Sequence, residues 1–371
     1  SCSQDSIWSQ TTDGLSGGDD VTLIREDQYG LVTPHIQPEA RYTPTFPDLL
    51  VFILSSEVLA MLLIPSWASN PIAWVMAGLS LPVFVWLLFR RVVIRLVFTT
   101  PEPVVGKLVD PRWAPFRYVG WGGDVKTAHL LEVDGGEDDL VVILHGRGSS
   151  LRNVESRALH LAELGANVVG LNLRGHGDCD RRQDWTLLKV AEDIEAMLES
   201  LEHELGSDLP ERVWFYGHSV GGFICIWLGA NPKSWWEGRL AGVMLESPAT
   251  SFPLAVESIL PPQFGAFKPW VRQILRREHE RIHPDLSIRY ATAQVPHFGM
   301  PTVPILLMQA RRDNRLGIQH YNLITSHLDD SASVHMMVSQ PHTSAVDSEE
   351  RKSILEEWLK PRLGGAMEGL V

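Results

Sequence analysis

Cysteine is scarce: Cys2, Cys179 and Cys225 are the three in 371 residues, and they form no even, closely spaced set. That excludes a disulfide framework and the paired spacing of a zinc site, and it fits a reducing compartment. Cys225 sits in an apolar run and reads as packing rather than chemistry. Positive charge is also in deficit. Lys and Arg number 32 against 45 Asp and Glu, a formal net charge of −13, which excludes the basic face a nucleic-acid binder needs. A secretory leader is lacking as well. The chain starts at Ser1, which reads as removal or omission of an initiator Met, and the first apolar run begins near Leu49. Residues 1–46 have little apolar material, and seven Asp and Glu there face only Arg25 and Arg41. This predicts a disordered acidic tail, in which Gly17-Gly18-Asp19-Asp20 is a flexible segment and not a phosphate loop.

Two long hydrophobic runs follow over residues 47–98. Leu49 to Ala68 and Pro71 to Phe89 each approach the ~20 residues that an α-helix needs to cross a bilayer. Only Ser69-Asn70 separates them, so they predict a tight helical hairpin. Trp67, Trp74 and Trp86 fall near segment ends, where indoles favour the interface. Arg90, Arg91 and Arg95 follow directly, and residues 99–118 read as a linker that adds Lys107, Arg112 and Arg117. The positive-inside rule puts that flank, and the domain after it, on the cytoplasmic side of a membrane. Glu57 opposes this, because a carboxylate at mid-bilayer costs several kcal/mol unless protonated or paired. The other readings are a buried helical pair packed on a soluble domain, or a hairpin lying in one leaflet.

From about Val119 the texture changes. Leu140–Leu144 is a continuous apolar run, as expected of a strand buried on both faces. Residues 166–173, 212–216, 242–245, 304–309 and 334–339 repeat the type, while 152–164 and 186–205 carry helical periodicity. Alternation of this kind predicts an α/β fold, a mostly parallel central sheet with helices on both faces. Ligands of such sheets bind at the carboxyl ends of strands. There, after the strand ending at Tyr216, stands Gly217-His218-Ser219-Val220-Gly221-Gly222, followed by an apolar helix over 220–230. Strand, glycine-rich turn and helix form the context of a nucleophile elbow, which makes Ser219 the candidate nucleophile. The Val220 N–H, at the helix start, is one candidate oxyanion donor. The Arg147 N–H, in His145-Gly146-Arg147-Gly148 after an earlier strand, is the second. His145 reads as structural, shaping that loop. A serine nucleophile needs a base, and the base needs an orienting carboxylate. Asp313 follows the strand over 304–309 and His342 follows the strand over 334–339, so Ser219, Asp313 and His342 run in the order this architecture requires. Glu246, ending the strand over 242–245, is the alternative acid.

Over roughly Val119 to Leu359 the sequence resembles the α/β-hydrolase superfamily. The matching pieces are His145-Gly146-Arg147-Gly148, Leu173-Arg174-Gly175-His176-Gly177, Gly217-His218-Ser219-Val220-Gly221-Gly222, Asp313 and His342. The pattern is most similar to the lysophospholipase, monoacylglycerol lipase and serine aminopeptidase-like branch. Asp178-Cys179 departs from it, where a Ser often follows the Arg-Gly-His-Gly turn, and His176 reads as scaffold. The resemblance implies an α/β-hydrolase domain over 119–371, a helical cap at about 250–302, an acyl-enzyme mechanism, and no cofactor or metal. The cap interval opens apolar, with Phe252, Phe264, Phe267 and Trp270, then turns basic at Arg272, Arg276, Arg277 and Arg281. It suits either an apolar face packed on the domain or an acyl chain with an anionic head at a membrane surface. The resulting expectation is a membrane-anchored serine hydrolase of lipid or lipid-linked carboxylic esters. A thioesterase or serine aminopeptidase uses the same parts, and a non-catalytic interaction protein on this fold is the rival from another class.

Overall fold

The computed structural model describes residues 53, 54 and 56 and then 69–364, apart from 103, 180–181, 183, 207, 260–261, 283–288 and 343–346. The expected tail, and nearly all of the first hydrophobic segment, lie outside the described residues.

Eight strands form one sheet in the order β1-β2-β4-β3-β5-β6-β7-β8. These are β1 (Ala114–Val119), β2 (Val125–Leu131), β3 (Asp139–Leu144), β4 (Asn167–Leu171), β5 (Arg212–His218), β6 (Leu240–Glu246), β7 (Ile305–Arg312) and β8 (Ser333–Pro341). The pairings β1–β2 and β2–β4 are antiparallel and the remainder parallel. β3 lies in the interior with every residue buried. Its Leu140, Val142 and Leu144 join one core, and its Val141 and Ile143 join the other. That two-sided burial is why its sequence shows no polar alternation. The first core includes residues of α3 (Leu187–Leu205) and α4 (Val220–Ala230). The second includes residues of α2 (Leu151–Glu163) and α8 (Glu349–Leu359). Helices therefore cover both faces, as the alternation predicted.

The sequence reading missed β1 and β2. Residues 99–118 were expected as a linker, yet β1 occupies their C-terminal end. Its burial is uneven and only Tyr118 is fully covered, because an edge strand of an antiparallel pair carries no continuous apolar run.

The second hydrophobic segment forms α1 (Pro71–Phe98), with Pro71 in its first turn and the Asn70 side chain accepting from Ile72 N–H at 2.9 Å. It does not stop at the basic flank. Arg90, Arg91 and Arg95 are helical, and the last turns bury Val93, Val97 and Phe98 in the first hydrophobic core. Among the described residues no helix is long and apolar enough to cross a membrane. The first of the two expected hairpin helices lies almost wholly outside the described residues, and the second does not end at Phe89 but runs on to Phe98 and into the domain. Its N-terminal half is nonetheless apolar and exposed at Ile72, Trp74, Val75 and Leu79. The cap comprises α5 (Phe252–Ile259), a 3₁₀ turn (Pro262–Phe267) and α6 (Lys268–Ile282). α6 buries Val271, Ile274 and Leu275 and turns Arg272 and Arg276 outward, so its apolar face packs on the protein. It also holds α1, through Arg90–Glu278 at 3.1 Å and an edge contact between Trp86 and Trp270. Between β7 and β8 runs α7 (Ile318–Thr325).

Candidate active site

The turn from β5 into α4 places Ser219 at φ 56° and ψ −115°, a strained conformation for a residue with a side chain. The surrounding glycines make it sterically possible. A Cβ on Gly221 would lie 2.3 Å from the Leu144 carbonyl oxygen, and one on Gly217 would lie 2.4 Å from the Gly221 carbonyl oxygen. The backbone is pinned on both sides. Ser219 N–H donates to the Glu246 carbonyl at 3.0 Å, and Ala249 N–H donates to the Ser219 carbonyl at 2.8 Å.

The structure brings Ser219, His342 and Asp313 together across 123 residues of sequence. His342 Nε2 lies 3.0 Å from Ser219 Oγ, and His342 Nδ1 lies 2.8 Å from Asp313 Oδ2. With the Nδ1 proton donated to the carboxylate, Nε2 is left to accept from the hydroxyl. Parallel pairing of β7 with β8 carries the two loops side by side, with Arg312 opposite Pro341. Asp313 is itself fixed: Oδ1 accepts from Arg315 and Leu316 N–H at 3.0 and 2.9 Å, and Oδ2 accepts from Gln309 Nε2 at 3.1 Å. Burial alone would raise its pKa, but His342 and those N–H groups outweigh it and hold the carboxyl at about 2.

Val220 and Arg147 line the same cavity of about 440 Å³ as Ser219 and His342. Among the described residues neither backbone N–H has a hydrogen-bond partner. Gly146 allows the approach, since a Cβ there would come within 3.0 Å of the Ser219 Cβ. His145 shapes the loop: Nδ1–H donates to the Gly146 carbonyl at 2.8 Å, and Nε2 accepts from Leu173 N–H at 3.0 Å. Complete burial pushes its pKa down to about 3, which keeps the neutral ring that this pattern requires. His176 donates to the Arg174 carbonyl and stacks edgewise on Trp185, away from the nucleophile.

Glu246, the alternative acid, does not meet His342. Its carboxylate takes two bonds from Arg157, at 2.7 and 2.9 Å, a third from Arg351 at 3.3 Å, and one from the Tyr216 hydroxyl. Burial alone would raise its pKa, but the Arg157 and Arg351 guanidiniums hold it below the usual range. It is the anion at the centre of a buried network beneath the elbow. Sequence reasoning also missed His218, whose Nε2–H donates to the His342 carbonyl at 2.7 Å. Burial lowers its pKa to about 4, so it is neutral. The middle residue of a Gly-X-Ser turn gives no signal of such a contact.

The strand order, with two antiparallel strands leading a parallel series and the elbow between β5 and α4, is that of the α/β-hydrolase fold. A family model described as serine aminopeptidase, S33, matches residues 136–314, from just before β3 to just past Asp313. An esterase of Pyrococcus furiosus, Pf2001, superimposes with a TM-score of 0.52 at 19% identity, covering 72% of this chain and 99% of its own. Among curated proteins, the chain is similar to protein phosphatase methylesterase 1 of Bos taurus, 32% identical over 104 residues, and of Mus musculus, 33% identical over 109. Each alignment covers 27% of this chain and 26% of the relative, so the chain spans about a quarter of the length of those proteins.

Proposed function

We propose that this chain, a member of the α/β-hydrolase superfamily of serine hydrolases, cleaves carboxylic esters through an acyl-enzyme. The observation that carries the reading is the hydrogen-bonded series Ser219–His342–Asp313 beside two unengaged N–H groups in one cavity. Ser219 Oγ attacks the acyl carbonyl carbon as His342 Nε2 takes its proton, and Asp313 stabilises the imidazolium. The Val220 and Arg147 N–H groups receive the oxyanion, each worth ~3–4 kcal/mol of barrier. His342 then protonates the departing alcohol, and water, deprotonated by the same nitrogen, releases the acid. Val97, Trp185, Leu187, Phe223, Phe252 and Val256 line the cavity, an apolar wall suited to the acyl part of a lipid or lipid-linked ester.

A fluorophosphonate probe should label the wild type and leave Ser219→Ala unlabelled; a folded wild type that resists the probe argues for a non-catalytic scaffold. Hydrolysis of acylglycerols, lysophospholipids, acyl thioesters and aminoacyl amides separates the substrate classes. Methyl esters of peptide carboxylates belong in the same panel, because the relatives are named methylesterases. Failure on every lipid ester with turnover of another class would overturn the lipid assignment.

Membrane association is part of the same proposal. Its support is the exposed apolar half of α1, with Trp74 and Trp86, together with the basic residues at 90, 91 and 95, which favour a cytoplasmic placement of the domain. Carbonate extraction of membranes from cells expressing the full chain tests attachment, and protease protection tests sidedness; recovery in the soluble fraction would reject it.

A further inference from the structure

We propose that the Arg147 side chain is a positioning strut that ties the oxyanion loop to the C-terminal end of α1, making this N-terminal helix a working part of the active site. The inference rests on the serine-hydrolase reading above. Arg147 Nη2 donates to the Leu96 carbonyl at 3.1 Å and to the Thr99 carbonyl at 2.9 Å. Carbonyls at a helix end lack intrahelical donors, and a cation there is favoured by the helix dipole. The guanidinium also stands over the Trp185 ring, 5.9 Å from its centroid.

The arrangement is expensive for a merely structural arginine. Among the described residues no carboxylate pairs with it, and its buried Nε has no partner. The loop is held at its start by the His145 ring, which donates to the Gly146 carbonyl, and beyond Gly146 the Arg147 side chain is its tie to α1. Gly146 and Gly148 flank Arg147, with Gly148 at φ 77°, and the turn's own bond is Ser149 N–H to the Gly146 carbonyl at 3.2 Å. The far end of the strut is anchored. Val93, Val97 and Phe98 are buried, Trp185 N–H donates to the Phe98 carbonyl at 2.9 Å, and Thr100 N–H donates to the Arg182 carbonyl at 2.9 Å. Val97 and Pro101 themselves line the cavity. The side chain therefore fixes where its own backbone N–H points, and α1 supplies the fixed frame.

Arg147→Met, in the full chain, keeps the stem and removes the grip. Against a chromogenic acetate ester it should lower kcat by about 10- to 100-fold, the cost of a misplaced donor, with KM within about threefold. Inhibition by a boronic acid, which forms the tetrahedral adduct, should weaken in parallel. Methylguanidinium should restore part of the kcat of Arg147→Ala, and ammonium should not. Arg147→Lys guards against a variant that fails to fold: at an unchanged thermal midpoint, a kcat at least threefold down supports the strut, and full activity overturns it. A wild-type rate in Arg147→Met, or a loss carried wholly in KM, overturns it too. A wild type that neither turns over nor takes the fluorophosphonate probe overturns the hydrolase reading itself, a result distinct from an active enzyme indifferent to Arg147.

Discussion

Asp313 and Glu246 are both carboxylates at strand ends, and only their surroundings separate them. Asp313 shares its oxygens among His342, Gln309 and two loop N–H groups, whereas Glu246 is consumed by Arg157, Arg351 and Tyr216. The two variants should therefore fail differently. Asp313→Asn loses the acceptor that fixes the His342 tautomer and should lower kcat on the order of 10³- to 10⁴-fold with little change in the urea midpoint. Glu246→Gln leaves two buried guanidiniums under-compensated and should destabilise the fold by ~3–5 kcal/mol, read from urea unfolding. Equal stability losses in the two would contradict the division of roles. The residue types of the triad were legible because each stands just past a strand. The choice between the two acids was not, since Arg157 and Arg351 reach Glu246 from 89 and 105 residues away.

The elbow is an element held by contact distances. Gly221→Ala would drive a methyl group into the Leu144 carbonyl, and Leu144 is a fixed strand residue. Loss of both soluble expression and probe labelling is expected, and a folded, labelled Gly221→Ala would show that the turn can relax. The cap and α1 form a second unit. Phe267 and Trp270 are exposed, stack on each other and touch Phe89 and Trp86. If this aromatic ridge meets a bilayer, Phe267→Ser with Trp270→Ser should reduce co-sedimentation with anionic phospholipid vesicles several-fold. Hydrolysis of the soluble acetate ester should be unchanged. Binding indifferent to both substitutions removes the ridge from the membrane proposal. The buried strands and the stripe of α3 could be read from periodicity, because each has a uniform environment. β1 and the last turns of α1 could not: one is half-solvated, and the other changes from exposed to buried along a single helix.

At the scale of the molecule, four buried histidines among the described residues link stability to pH. Burial lowers His145 to about 3, and His176, His218 and His320 to about 4, from an ordinary 6.5. Between about pH 6.5 and 4 the unfolded chain binds protons that the folded one refuses. Acidification through that window should therefore destabilise the protein, with up to ~1.4 kcal/mol per pH unit for each histidine. The loss attributable to the rings levels off below their folded values. Asp313 adds a further loss as pH falls below 3.8 toward 2, since its carboxylate is favoured by folding. A urea midpoint that falls steadily from pH 7 to 5 is the expected record; a flat one would mean that these rings are not buried neutral.

The sequence by itself determined the architecture and the order of the reacting residues, because strand burial, helical periodicity and glycine turns are local patterns that each element carries in its own residues. Only the tertiary structure decided which carboxylate faces His342, that His218 and Arg147 brace the site, and that α1 closes one wall of the cavity. Those outcomes depend on distances between segments far apart in the chain, and a pattern along one segment does not encode them.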